Sequence, residues 1–186
     1  AELAEDLSGA DLTAIEVDLP DEGAVSAAFS RIAEDCGAEG LALLFTNAGI
    51  AGAETGPVED LALAEWRRRV DASLTGTFLC TRAAVPLLRR ARGAVVNMAS
   101  TRAFQSEPHC EAYAAAKGGV VALTHALAVS LGPDVRVNAV APGWIETRDR
   151  RRRDRREAVE HSELERAQHP VGRVGRPEDV AEAVLH

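Results

Sequence analysis

One run constrains this chain most: Leu41–Phe45 (LALLF) is apolar at every position, as a buried parallel strand should be. Two further short runs, Ala94–Met98 (AVVNM) and Val135–Val140 (VRVNAV), read as strands of the same kind. Long stretches of helical periodicity lie between the three, with no hairpin signal. Parallel strands need such crossovers. The pattern predicts an α/β fold with a parallel sheet. A fourth strand is expected at Leu12–Val17 (LTAIEV). The first helix is expected over Asp21–Cys36, with Val25, Ala28, Phe29 and Ile32 on one stripe and Gly37 closing it. A second spans Leu61–Arg90, with Trp66, Val70, Leu74, Phe78 and Leu79 on or near one face. A third spans Glu111–Leu131 and stops at Gly132-Pro133. Pro177 opens a last helix in the position proline prefers. No linker or repeat interrupts the chain, so residues 1–186 read as one domain.

Composition narrows the function classes. The net charge is -8, which gives a nucleic-acid partner no global electrostatic support. No apolar run approaches the ~18 residues of a membrane span. The first residues, AELAEDLSGA, are acidic and lack the apolar core of a signal peptide. Three cysteines at wide spacing (Cys36, Cys80 and Cys110) fit free thiols in a reducing compartment, which implies a cytoplasmic protein. The histidines show no zinc-ligand spacing with them, so no metal is expected.

The chemistry concentrates at two residues. Tyr113 is the only tyrosine and Lys117 the only lysine among 21 basic residues. They stand four apart on a predicted helix, so both side chains leave the same face. A cation beside a phenol favours the phenolate, and such a hydroxyl is a general acid/base. A bare pair at this spacing turns up on many helix surfaces; the uniqueness of both residues argues against that reading here. Ser100 follows the AVVNM strand and precedes Tyr113 by thirteen positions. At the carboxyl end of a strand it faces the crevice where open α/β sheets bind ligands, and its hydroxyl can donate to a substrate carbonyl. Alone, it would read as a turn or cap residue.

Thr46-Asn47-Ala48-Gly49, then Ser100, Tyr113 and Lys117, then Asn138 to Gly143 (NAVAPG) and Arg173 to Val180 (RVGRPEDV) occur in one order. In that order and spacing the chain resembles the short-chain dehydrogenase/reductase family over nearly its whole length. Pro142 to Thr147 (PGWIET) is similar to the 3-oxoacyl-carrier-protein reductases and their relatives. The resemblance implies a Rossmann-like, doubly wound parallel sheet and an oxidoreductase that moves a hydride between a nicotinamide cofactor and a carbonyl or alcohol. Tyr113 would be the general acid/base. Lys117 would bind the nicotinamide ribose and favour the ionised phenol, and Ser100 would polarise the substrate carbonyl. Asp18 and Leu19 would touch the adenine ring. Asn47, Ala48 and Gly49 would hold the cofactor's central part. Pro142, Gly143 and Ile145 would meet the nicotinamide carboxamide, with Thr147 on the phosphate side. The cofactor would be NAD or NADP, with a slight lean to NADP. The substrate would be a small carbonyl or alcohol, including one carried on coenzyme A or on a carrier protein. A homo-oligomer is expected for a complete member, with no nucleic-acid or membrane partner.

The sequence departs from the family in three places. Ser73 occupies the place of a fourth catalytic residue, an asparagine; it is either a shorter-reaching substitute or an ordinary small packing residue. The family's first two strands with the T-G-x-x-x-G-x-G loop between them, and its last strand, are not among the 186 residues. The expectation is therefore that these residues alone bind the cofactor weakly, turn over little, and leave the sheet open at Leu41–Phe45. The alternative to an enzyme is a truncated non-catalytic remnant serving as an interaction or anion-binding module. Its support is Ser73 and the missing glycine loop, joined for anion binding by the arginine run Arg148 to Arg156. That run reads either as a solvated face, with Asp149 and Asp154 interleaved, or as a basic patch for an anionic substrate. His109, Cys110 and Trp144 are candidate pocket residues or plain packing.

Overall fold

The computed structural model describes residues 11–50, 52–151 and 153–186. The acidic first decapeptide, and one position each of the glycine-rich loop and the arginine run, lie outside the described residues. The described residues form two compact units, Val17–Gly143 and a second made of Trp144–His186 with residues 11–16.

In the larger unit, helix α1 (Glu22–Cys36) starts where the Asp21 carboxylate accepts the Ala24 N–H at 2.9 Å. It ends at Gly37, whose φ of 54° suits a residue without Cβ. Strand β1 (Leu43–Thr46) comes next, then helix α2 (Leu63–Val70), a π-helical turn (Asp71–Thr75) and helix α3 (Gly76–Ala91). Strand β2 (Ala94–Met98), helix α4 (Glu111–Leu131) and strand β3 (Arg136–Val140) complete the unit. The strands run parallel in the order β1-β2-β3, with Leu43 opposite Ala94 and Ala94 opposite Arg136. The parallel sheet with helical crossovers is the α/β arrangement that the apolar runs imply.

Val95 of β2 is wholly buried, and Ala84 and Leu88 of α3 close over it with Leu131, Val135 and Val137. Phe29 of α1 packs against this cluster. An ion pair between Arg82 and Glu22, at 2.6 Å, joins α3 to α1. Helix α4 lies on β2 and β3 and against the π-turn. That last approach requires Gly119: a Cβ there would sit 2.6 Å from Leu74 Cδ2.

Buried polar residues lock the layers together. Asn97, central in β2 and 0% exposed, accepts the Thr46 hydroxyl at 2.8 Å and donates to Thr124 Oγ1 at 2.9 Å. Thr124 in turn donates to the Val120 carbonyl of its own helix at 2.7 Å. The Asn97 side chain is thereby satisfied, and β1, β2 and α4 are fixed in mutual register.

Three expectations change. Leu12–Val17 forms no strand. No strand pairs with it among the described residues, so a strand there would leave its N–H and C=O groups without a ladder, and Leu12 is 47% exposed. The helix expected over Leu61–Arg90 is interrupted by the π-turn. One helix does reach membrane-spanning length and apolarity: α4, with 21 residues. It packs on β2 and β3 and buries Ala112, Ala116, Lys117, Val120 and Thr124 within the unit.

In the smaller unit Ile145 forms a parallel bridge with Gly175, and the Glu146 N–H donates to the Gly175 carbonyl at 2.9 Å. Helix α5 (Glu163–Ala167) is opened by a capping box of Ser162 and Glu165. Helix α6 (Pro177–Leu185) carries proline in its first turn. Arg173 grips both oxygens of Asp179 at 2.7 and 2.6 Å.

Candidate active site

Five chain segments supply the candidate residues near the carboxyl ends of β1 and β2: the turn at Ser100, Pro142-Gly143, α4, the π-turn and the loop Asn47–Gly49. Ser100 leaves β2 in extended conformation, 6% exposed, and its Oγ accepts the Arg102 N–H at 3.2 Å. That bond caps the short 3-10 turn Thr101–Ala103 and uses one lone pair, leaving the O–H to donate. Serine is thus both the local cap and a free donor. Pro142 and Gly143 lie beside it: the Thr101 N–H donates to the Pro142 carbonyl at 3.0 Å, and a Cβ on Gly143 would be 3.9 Å from Thr101.

Tyr113 occupies the first turn of α4 and is half-buried, with its hydroxyl unbonded among the described residues. Lys117 stands one turn along and is 5% exposed. Its Nζ donates to the Met98 carbonyl at the end of β2, at 2.7 Å, and stands 5.8 Å from the centre of the Tyr113 ring. Burial pushes the Lys117 pKa down.

Ser73 approaches from the π-turn, 3% exposed. A π-turn inserts a residue into a helix and re-aims the side chains beyond it, and it often marks a functional position. The Thr77 hydroxyl ties the turn internally, donating to the Ser73 carbonyl at 2.7 Å. Gly49 of the exposed loop Asn47-Ala48-Gly49 comes down onto this pair. A Cβ on Gly49 would lie 3.2 Å from Ser73 Oγ and 4.0 Å from Lys117 Nζ. Gly49, Ser73 and Lys117 therefore converge. Lys117 carries three N–H donors, and one is spent on Met98. The two left lie beside the loop that follows β1, and such a pair of donors is of the kind that can hold the vicinal hydroxyls of a ribose.

Other sequence candidates are not gathered here. The Asp18 carbonyl accepts the Asp21 N–H at 3.0 Å, and Leu19 packs on Gly76 of α3. Neither touches Ser100, Tyr113 or Lys117. Ile145 and Thr147 belong to the smaller unit, where the Thr147 N–H donates to Glu146 Oε1 at 3.0 Å. Cys110 is 1% exposed, and His109 holds a left-handed φ of 64° just before α4.

Around Glu146 the smaller unit builds a charged knot that sequence reasoning missed. Its carboxylate accepts Arg148 Nε at 2.9 Å and Nη2 at 2.7 Å, the Thr147 and Arg148 N–H groups, and lies 3.0 Å from His161 Nε2. The Arg148 guanidinium, foremost, holds Glu146 down at a pKa of about 2. The His161 ring meets Trp144 edge-on, with centroids 5.3 Å apart. Arg150 pairs with Glu178 at 2.5 Å and Arg151 with Glu157 at 3.2 Å. The first part of the arginine run is thus largely paired, which favours the solvated-face reading.

The family model described as enoyl-(acyl carrier protein) reductase matches residues 1–186. An uncharacterized oxidoreductase of Thermotoga maritima is 41% identical over 175 residues, covering 93% of this chain and 67% of that protein. A Xanthobacter autotrophicus protein named inactive 2-(S)-hydroxypropyl-CoM dehydrogenase 2 is 39% identical, covering 95% of this chain and 77% of its own length. The solved structure of ElxO with NADP bound superposes with a TM-score of 0.84 at 25% identity, covering 99% of this chain and 74% of that one. With a Rossmann-like parallel sheet, a match over all 186 residues and the motifs at Asn47–Gly49, Ser100, Tyr113 and Lys117, the chain belongs to the short-chain dehydrogenase/reductase family of oxidoreductases.

Proposed function

We propose that the protein interconverts a small carbonyl compound and its alcohol, with Tyr113 as the proton-transferring group and a nicotinamide cofactor as its redox partner. The bound cofactor would supply or accept the hydride. The Tyr113 hydroxyl gives its proton to the carbonyl oxygen in reduction and recovers it in oxidation. The Ser100 O–H donates to the same oxygen and stabilises the charge that develops there. Lys117 binds the ribose with its two unspent donors and keeps a positive charge next to the phenol. Asn47, Ala48 and Gly49 line the cofactor's path. Ser73 serves as a polar neighbour of that path.

The observation that carries the reading is Lys117. An ammonium 5% exposed, with one acceptor at 2.7 Å among the described residues, is unfavourable in a purely structural position. Its place beside Gly49 and Tyr113 gives that burial a purpose. NADP is the favoured cofactor, supported by the NADP-bound structural neighbour. The substrate class includes ketones linked to coenzyme A or a carrier protein, and a screen of free against thioester-linked ketones separates the two kinds.

The test is Tyr113→Phe in the protein as its cell makes it. Only a hydroxyl is removed, so cofactor affinity should hold while turnover falls roughly 10²–10⁴-fold. A variant that keeps most of its activity would remove Tyr113 from the acid/base role. A parent protein that binds cofactor and turns over nothing would favour the remnant.

A further inference from the structure

The loop after Gly49 is gripped from two sides, and neither grip was visible in the sequence. On one side stands Arg69, at the end of α2 and one turn before Ser73. It is 8% exposed, so its guanidinium is a buried charge. Its Nε donates to Glu65 Oε1 at 2.6 Å, one helical turn back. Its Nη1 donates to the Gly52 carbonyl, and its Nη2 reaches the Glu54 carbonyl at 3.5 Å. On the other side, the Thr55 N–H and hydroxyl both donate to the His109 carbonyl, at 2.8 and 3.1 Å. His109 is the residue with φ of 64°, directly before Cys110 and the start of α4. Residues Gly52 to Thr55 therefore bridge the helix that leads into Ser73 and the helix that carries Tyr113 and Lys117.

We infer that Arg69 is a positioning residue: it fixes the Gly52–Glu54 backbone and so seats Gly49 against Ser73 and Lys117, where the cofactor would lie. The inference rests on the cofactor site proposed above. Only arginine has a planar fork of five donors that can meet a carboxylate and two carbonyls at once. Glu65 keeps the buried charge paired. It also binds Arg68, at 2.7 and 2.9 Å, and the two guanidinium groups hold its pKa down at about 2, so it remains ionised at any working pH. Gly52 has φ of 82°, a conformation that strains any other residue, and open space surrounds its missing Cβ. A substitution there disturbs the gripped loop without touching the core.

The experiment is amide hydrogen exchange on the cofactor-free protein, joined to cofactor kinetics, for Arg69→Leu, Arg69→Lys and Gly52→Ala. In Arg69→Leu, exchange at the Thr55 amide should rise about tenfold or more, while the β2 amides of Val95 and Val96 keep their protection. The cofactor KM should rise about tenfold with kcat within about threefold, since binding geometry is lost and the proton-transfer groups are intact. Arg69→Lys, which keeps the charge and one donor direction, should recover part of both effects. Gly52→Ala should reproduce the loop exchange and the KM rise while Val95 and Val96 keep their protection, and it serves if Arg69→Leu does not fold. Exchange that rises uniformly with global stability loss, or a Gly52→Ala protein with a parental cofactor KM, would overturn the inference. The exchange readout needs no cofactor, so failure of the proposed activity does not mask it.

Discussion

Lys117→Met should make the protein more stable and less active. The substitution keeps the stem's length and apolar contacts and removes the ammonium. Two magnitudes compete. Burying an ion carries an effective penalty of several kcal/mol. Against it stands one charge-assisted hydrogen bond to the Met98 carbonyl, at 2.7 Å, a type of bond that contributes about 1.5–3 kcal/mol. The remaining carbonyl then lacks its donor, which costs about 1–3 kcal/mol. The desolvation relieved exceeds the bond lost, because Lys117 is 5% exposed and has no carboxylate partner among the described residues. A gain of roughly 1 kcal/mol in urea unfolding is expected, with turnover reduced roughly 10²–10⁴-fold. The pH dependence gives an independent check. Burial lowers the Lys117 pKa in the folded state. Below that lowered value both states hold the proton, and the full penalty is present. Between the folded and the ordinary lysine values the unfolded chain binds more protons, so stability rises with pH. The variant should lose this alkaline rise. A Lys117→Met protein destabilised by more than about 2 kcal/mol would refute the reasoning, because the ammonium would then be a net structural asset.

Asn97→Ala should destabilise the larger unit by about 3 kcal/mol in urea unfolding, since it leaves the half-buried Thr46 and the buried Thr124 hydroxyls short of partners and opens a cavity at a 0%-exposed site. The smaller unit should loosen in acid: Glu146 sits at a pKa of about 2, below the ordinary carboxylate value, so its stabilisation is complete above that ordinary value and fades as the pH falls toward 2. Trp144 fluorescence in a Trp66→Phe background reads this transition, and Glu146→Gln should flatten it between those two pH values.

The three strands of the sheet and the candidate residues Ser100, Tyr113 and Lys117 were legible because each rests on a local signal. LALLF signals a strand by its apolar run, although Leu43–Thr46 is only half-buried and Phe45 is 37% exposed, and the one Tyr and one Lys fall four apart on an apolar helix. Ser100 was legible as the first polar residue after a strand. What the sequence hid depends on side chains distant in the chain. Arg69 is one of many arginines, and nothing local separates a buried one from a solvated one such as Arg82. The π-turn at Asp71–Thr75 leaves the helical stripe of Trp66, Val70 and Leu74 nearly unchanged, so periodicity reads straight through it. Leu12–Val17 shows the opposite failure: its composition suits a strand, but a strand is made by its neighbour as much as by its own residues.

The polar groups of this unit are placed so that burial and chemistry support each other. Thr46, Asn97 and Thr124 join β1, β2 and α4 by a chain of hydrogen bonds that ends on the Val120 carbonyl of α4 itself. One helical turn before Val120, on the same helix, Lys117 is bonded to the residue after Asn97 and keeps donors in reserve. That chain of bonds fixes the helix against the sheet, and fixing the helix sets where the unspent donors point. Thr46 contributes to the first and leads directly into Asn47-Ala48-Gly49, which contributes to the second. Serine at position 73 fits the same division. Its burial and the internal bond to its carbonyl hold the π-turn, while its hydroxyl lies against Gly49 with no acceptor of its own among the described residues. A packing residue alone would serve as well with alanine, so Ser73→Ala, which removes only that hydroxyl, separates a polar task beside the loop from simple filling of space.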